Sequence, residues 1–213
     1  MNKITGIKTG RSREKRIDIY LDGKLSLNLL TEVALKEHLR VGQELTAKRL
    51  ETLSARNNQQ RCFNAAVRYL GYRPRSESEV KQRLHRHGFN DAVTEAALAK
   101  LKEQGLIDDG AFARFWTENR DSFSPRSRRQ VQMELKLKGV PANVSEPAIG
   151  AIDETESAYR AAMKKVKHLP LTDYAVFRRK LGMHLVRRGF NYDIINETVN
   201  RVWKEQRGNN NQT

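Results

Sequence analysis

The sequence predicts a mainly α protein: tandem three-helix repeats in an elongated, curved array, preceded by a small α+β module with a β-hairpin. Three observations predict it. Residues 15–28 alternate apolar and polar side chains about an Asp22-Gly23 turn. A pattern of apolar residues and glycine recurs three times, at offsets of 51 and then 50 residues. Hydrophobic residues at 38% beside charged residues at 31% suit a chain with a large surface for its core, but one too periodic to be disordered.

In the hairpin, Ile17, Ile19 and Leu21 fall on one face, and Leu25 and Leu27 continue that face on the return strand. Ile4 and Ile7 predict a third strand, separated from the hairpin by the basic loop Lys8, Arg11, Arg13, Lys15 and Arg16. Thr31 is the expected cap of a helix carrying Val33, Leu35 and Leu39. A turn at Gly42 leads to Leu45 and a second helix with Leu50 and Leu53, closing a module at 1–57.

The repeats follow at 58–106, 107–155 and 156–207, with a tail at 208–213 that has nothing to pack against. Seven positions keep their chemical type in all three copies. Val80, Val131 and Leu181 align, then Leu84, Leu135 and Leu185, then Gly88, Gly139 and Gly189 with Phe89, Val140 and Phe190 behind them. Val93, Val144 and Ile194 come next, then Leu98, Ile149 and Val199, and finally Leu101, Ile152 and Val202. Apolar residues at i and i+4 give a buried helical stripe, and the glycine supplies the left-handed residue that ends it. Asn90 and Asn191 stand where the next helix needs an N-cap. Ser76-x-x-Glu79 and Ser127-x-x-Gln130 are capping boxes in the first two copies; the third has none, so its helix should start earlier, near Thr172 or Asp173. An amphipathic segment ahead of each pair (Cys62, Ala66, Tyr69, Leu70; Phe112, Phe115, Trp116; Tyr159, Ala162, Met163, Val166) makes each unit three helices.

Forty Lys and Arg against 25 Asp and Glu give a formal charge of +15, which calls for a polyanionic partner. The excess sits at the two ends: residues 110–157 carry seven basic and seven acidic residues, whereas 158–213 carry twelve basic and four acidic. No apolar run reaches the ~20 residues of a membrane span. Met1-Asn-Lys-Ile4 lacks the apolar stretch of a signal peptide, so a cytoplasmic protein without membrane contact is expected. A single cysteine, Cys62, reads as a small buried apolar residue. No long apolar stripe is left for a dimer, so a monomer is expected.

Two basic clusters are the candidate contacts for an anionic partner. Arg126, Arg128 and Arg129 open a helix, where the macrodipole disfavours cations by roughly 0.3–1 kcal/mol each. Either an acidic neighbour in the fold or an anionic partner compensates, and the partner is the expectation taken here. Arg178, Arg179, Lys180, Arg187 and Arg188 form the other cluster; Lys180 and Arg187, seven apart, share a helix face. Arg73, Arg75, Arg11, Arg13, Lys15 and Arg16 are secondary candidates. The basic loop that holds the last four either meets phosphate or is a solvated hairpin loop. Tyr69, Tyr72, Arg73 and Arg75 combine rings and guanidinium groups, which stack on bases, anchor an interface or simply pack. Tyr69 and Trp116 are expected in the core, and Asp108 and Asp109 at a helix N-terminus rather than on a metal.

Catalytic signatures are missing: there is no phosphate-binding glycine loop, no nucleophile elbow and no Cys/His set with zinc spacing. Glu134-x-Lys136 is a fragment of a nuclease signature, but it lies mid-helix without an upstream strand Asp. A protein with no enzymatic activity, no cofactor and no metal is expected.

The segments Ala66–Val80, Leu84–Phe89 and Gly105–Trp116 resemble the RecX family of bacterial recombination regulators, and the likeness covers nearly the whole chain. It is carried by Arg73-Pro-Arg-Ser-Glu77, by Asp108-Asp-x-x-Phe112-Ala-x-x-Trp116, by Glu134-Leu-x-x-Lys138-Gly139-Val140, and by the N-terminal hairpin module. The resemblance implies tandem three-helix repeats, binding in the helical groove of the RecA filament on DNA, and inhibition of RecA ATPase, strand exchange and coprotease functions. The alternative is a sequence-independent DNA-binding protein that acts on single- or double-stranded nucleic acid without touching RecA.

Overall fold

The computed structural model describes residues 2–10 and 15–210, with side chains through Arg207. Arg11 and Arg13, and residues 211–213 of the expected tail, lie outside the described residues. The chain forms two units: one comprises the sequence to Arg73 with Glu79–Ile107, the other Pro74–Ser78 with the sequence from Asp108 onward.

The first unit opens on strands β1 (Asn2–Thr9), β2 (Arg16–Leu21) and β3 (Lys24–Leu30), with β4 (Glu44–Leu45) completing an antiparallel sheet in the order β3-β2-β1-β4. Asp22 and Gly23 both take positive φ, 47° and 80°, as a two-residue hairpin turn of this type requires. The face predicted for the hairpin holds at Ile19 and Leu21 but fails at Leu25, which is 58% exposed. The cause is a bulge: Ile19 pairs with Leu27 but Tyr20 with Leu25, so Ser26 is the extra residue and Leu25 is turned outward.

Helix α1 (Thr31–Lys36) begins at Thr31 itself, with Leu30 in the cap position and no side-chain cap bond. It ends before Leu39, and Leu35 faces solvent. Thr46 is the working cap: its side chain accepts from the Arg49 N–H and starts α2 (Ala47–Leu70). This helix of 24 residues runs straight through the expected boundary at 57. Its N-terminal half packs Leu53 on the sheet and its C-terminal half packs Cys62 and Ala66 in the first repeat. Between them the buried Asn57 accepts from the Leu30 N–H at 2.8 Å. Helices α3 (Glu77–Arg86) and α4 (Asp91–Glu103) complete that repeat. Burial pushes the Cys62 thiol up to about 11, which leaves it protonated and inert.

The second unit carries α5 (Asp109–Phe123), α6 (Arg128–Leu137) and α7 (Ala142–Gly150), then α8 (Glu154–Val166), α9 (Tyr174–Arg187) and α10 (Tyr192–Asn210). α10 enters the expected tail, its backbone helical to Asn210. Each trio has its own core, one around Phe112, Val131 and Leu135, the other around Phe177, Leu181 and Leu185. Gly88, Gly139 and Gly189 have φ of 85°, 76° and 87°. Phe89, Val140 and Phe190 each donate back to the carbonyl five residues earlier (Leu84, Leu135, Leu185), which closes a Schellman motif at the end of each middle helix. Asp173 caps α9 by accepting from the Ala175 and Val176 N–H groups, as the missing third capping box predicts.

Candidate functional site

Pro125 to Gln130 enters α6 with Ser127 as N-cap, accepting from the Gln130 N–H at 3.2 Å. Two of the three arginines around that cap find partners inside the fold. Arg126 Nη1 lies 2.9 Å from Glu134 Oε1, and Glu134 Oε2 accepts from Arg120 Nε at 2.6 Å and from Trp116 Nε1 at 2.9 Å. Trp116 is therefore only half-buried, with its rings against the core and its N–H on a carboxylate; Arg120 and Lys138 stand over its face at 4.4 and 4.3 Å. Arg128 donates from Nε and Nη2 to the Ile152 carbonyl, at 2.9 and 2.6 Å, and from its backbone N–H to Glu154 Oε1. Glu154 thereby supplies the anion that the helix N-terminus favours. Of this cluster Arg129 alone is exposed and without an ion pair or side-chain hydrogen bond among the described residues.

The second cluster divides in the same way. Arg188 is half-buried: Nη1 donates to the Pro125 carbonyl at 2.9 Å and to Ser124 Oγ at 3.1 Å, while Nε donates to His184 Nε2 at 2.9 Å. Burial, reinforced by the Arg126 charge, lowers its pKa. Burial also lowers that of His184, helped by the charges of Arg188, Lys165 and Arg187 and opposed by the Ala161 carbonyl, so the ring is held neutral and accepts the guanidinium proton. Arg178 reaches the Tyr192 hydroxyl and Asn196 Oδ1, both at 3.3 Å. Arg179, Lys180 and Arg187 point into solvent.

Between α9 and α10 lies a groove of about 430 Å³ whose edges are Arg178, Arg179, Met183, Val186 and Tyr192. Met183, Val186 and Tyr192 are 56%, 61% and 69% exposed, a run of large apolar side chains that the fold leaves uncovered.

The secondary candidates are dispersed. Arg73 pairs with Glu79 at 2.9 Å, Arg75 and Arg16 are half-buried, and Lys15 is exposed. Asp108 accepts from the Gly110 and Ala111 N–H groups, with the Ala111 bond the main cause of its lowered pKa, and Asp109 accepts from the Glu77 N–H at 2.8 Å. Both carboxylates are thus engaged at helix N-termini, and among the described residues no group of three His, Cys, Asp or Glu could hold a metal.

The three helical repeats match three successive family models: the first three-helix domain of RecX over residues 62–101, the second over 108–149 and the third over 152–199. The regulatory protein RecX of Prosthecochloris aestuarii is 35% identical over 142 residues, which is 67% of this chain and 93% of that protein. The chain belongs to the RecX family. RecX of Bacillus licheniformis is 30% identical over 202 residues, 93% of this chain and 77% of its own. A crystal structure of regulatory protein RecX shares the fold at a TM-score of 0.70 and 24% identity, covering 92% of this chain and 98% of that one. RecX from Lactobacillus salivarius superposes with a TM-score of 0.59 at 25% identity, over 68% and 96% of the two chains. The family is a regulatory one, and among the described residues no helix is long and apolar enough to cross a membrane.

The apolar edge of the groove in this RecX chain escaped the reading of the sequence, although a signal was present. At the repeat position of Val186 the other two copies carry His85 and Lys136, and at that of Tyr192 they carry Asp91 and Ala142. Val186 is thus apolar where both other copies are polar, which marks a surface put to a different use.

Proposed function

We propose that the chain is a negative regulator of RecA, acting in the cytoplasm by lying along the RecA–DNA filament and suppressing its ATPase, strand-exchange and coprotease activities. Membership of the RecX family supports the reading, and the groove between α9 and α10 carries it. Exposed Met183, Val186 and Tyr192 beside Arg178 and Arg179 offer apolar area with a cationic rim. That chemistry suits a protein surface edged with carboxylates better than bare phosphate, which needs no apolar contact. Arg129, Arg179, Lys180 and Arg187, whose side chains are exposed, would add phosphate or carboxylate contacts. Three repeats on a polymer gain from effective concentration, so individually weak contacts suffice, and bridging adjacent protomers would obstruct the changes that accompany ATP turnover.

The test is the single-strand-stimulated ATPase of RecA titrated with this protein. Inhibition is expected at ratios well below one protein per RecA protomer; unchanged turnover at every ratio rejects the reading.

A further inference from the structure

The second unit holds a cavity of about 410 Å³ that the filament reading leaves unused. Arg114, Thr117, Glu118 and Asp121 stand at i, i+3, i+4 and i+7 of α5, and Val144, Pro147, Ala148 and Ala151 repeat that spacing along α7 and its end, so that two helix faces enclose it. Ile152, Asp153 and Arg160 line it as well. Its origin is visible in the repeat. At the place of Ala151 the other two copies carry Lys100 and Arg201, at the offsets of 51 and 50 residues. Each of those cations lies over a ring on the first helix of its own repeat, Lys100 over Phe63 with 4.4 Å to the centroid and Arg201 over Tyr159 with 3.8 Å. Alanine has no such reach, and in the second repeat the space between first and third helix stays open.

The polar groups of this cavity are incompletely satisfied. Thr117 is 8% exposed, and neither its hydroxyl nor the buried Nε of Arg160 has a hydrogen-bond partner. No residue lining the α9–α10 groove carries such an atom. The Arg160 guanidinium otherwise serves Asp121 and Glu156, and the Arg114 charge acts on Asp108. Glu118 and Asp153 are exposed and have no cationic partner among the described residues; Asp153 uses one oxygen to accept from the Glu156 N–H at 3.0 Å.

We propose that the cavity binds a free apolar α-amino acid, its carboxylate on Thr117 and Arg160, its ammonium toward Glu118 and Asp153, and its side chain against Val144, Pro147 and Ala148. The chemistry decides the class of ligand. A guanidinium N–H and a hydroxyl without partners call for an acceptor, two unpaired carboxylates for a cation, and the apolar wall for an aliphatic body. A free amino acid carries all three, whereas a residue inside a polypeptide has neither charge on its backbone. The volume falls in the range of roughly 300–1,000 Å³ that small-molecule sites occupy.

The experiment is isothermal titration calorimetry of the full-length protein with L-leucine. Leucine should bind, while 3-methylbutylamine, which lacks the carboxylate, and 4-methylpentanoate, which lacks the ammonium, should each bind about tenfold more weakly. Ala151→Lys installs the residue of the first repeat at an exposed helix end, where a cation is favourable, so the chain should melt as the parent does and bind no leucine. Glu118→Gln should weaken binding about tenfold. Thr117→Val keeps the shape and removes a hydroxyl that has no partner to lose, so it should bind leucine severalfold more weakly at undiminished thermal stability. A parent that does not bind leucine overturns the proposal. Parental affinity in Ala151→Lys, Glu118→Gln or Thr117→Val overturns it too, as does an amine that binds as tightly as leucine, which would mean an acidic cleft open to any apolar cation. None of these readouts involves RecA, so the filament reading stands or falls separately.

Discussion

Arginines that look alike in the sequence perform different tasks, and the difference is one of desolvation. Arg126 and Arg188 are drawn partly out of water and are held by Glu134 and by the Pro125 carbonyl, and Arg128, though exposed, is held by the Ile152 carbonyl; Arg129, Arg179 and Lys180 keep their hydration and remain available. His184 makes the Arg188 clamp sensitive to pH. Its neutral Nε2 accepts the Arg188 proton, and protonation would set a second cation against that guanidinium. Since the folded pKa lies below the ordinary value of about 6.5, the folded form binds the proton less readily than the unfolded one. The stabilisation is therefore complete above pH 6.5 and is lost as pH falls through that value toward the folded pKa. Thermal unfolding of the parent should drop between pH 7.5 and 5.5, and His184→Gln, which can still accept but cannot titrate, should flatten that part of the profile. Equal pH dependence in the two proteins would remove His184 as its source.

At the scale of elements, the three-helix repeats were legible because their cores recur with strict spacing: Val80, Val131 and Leu181 are all essentially inaccessible, as are Leu84, Leu135 and Leu185. The continuity of α2 was not, because Asn57 and the glutamines after it interrupt the apolar stripe, and only the sheet explains what a buried Asn does there. The glycines were half legible. All three need positive φ, but a Cβ on Gly88 meets nothing within 4 Å, one on Gly189 would come within 2.6 Å of Ser127 Oγ and 3.0 Å of Gln130 Cβ, and one on Gly139 would overlap the Ser78 side chain. The first of a set of repeats has no preceding helix start at its glycine; the later two do. Gly88→Ala should cost only the left-handed conformation, about 1–2 kcal/mol. Gly189→Ala adds crowding of roughly 1–3 kcal/mol. Chemical denaturation of the two variants separates them, and equal losses would mean that the Ser127 contact yields freely.

Across the whole molecule the charge is not a uniform coat. Residues 158–213 combine twelve basic and four acidic side chains with the apolar groove, whereas residues 110–157 balance seven basic with seven acidic side chains. The contributions of charge and of apolar contact should be separable by mutation. Val186 is the residue with which to try it: it is 61% exposed, and its counterparts in the other repeats are His85 and Lys136, so Val186→Lys puts a polar residue where the repeat already tolerates one. Thermal stability should stay within about 0.5 kcal/mol of the parent, as for other exposed positions. If apolar contact in the groove anchors the protein partner, the half-inhibitory concentration against RecA ATPase should rise severalfold although the substitution adds positive charge. A variant that inhibits more strongly than the parent would show that charge alone drives association and that the groove contributes no contact.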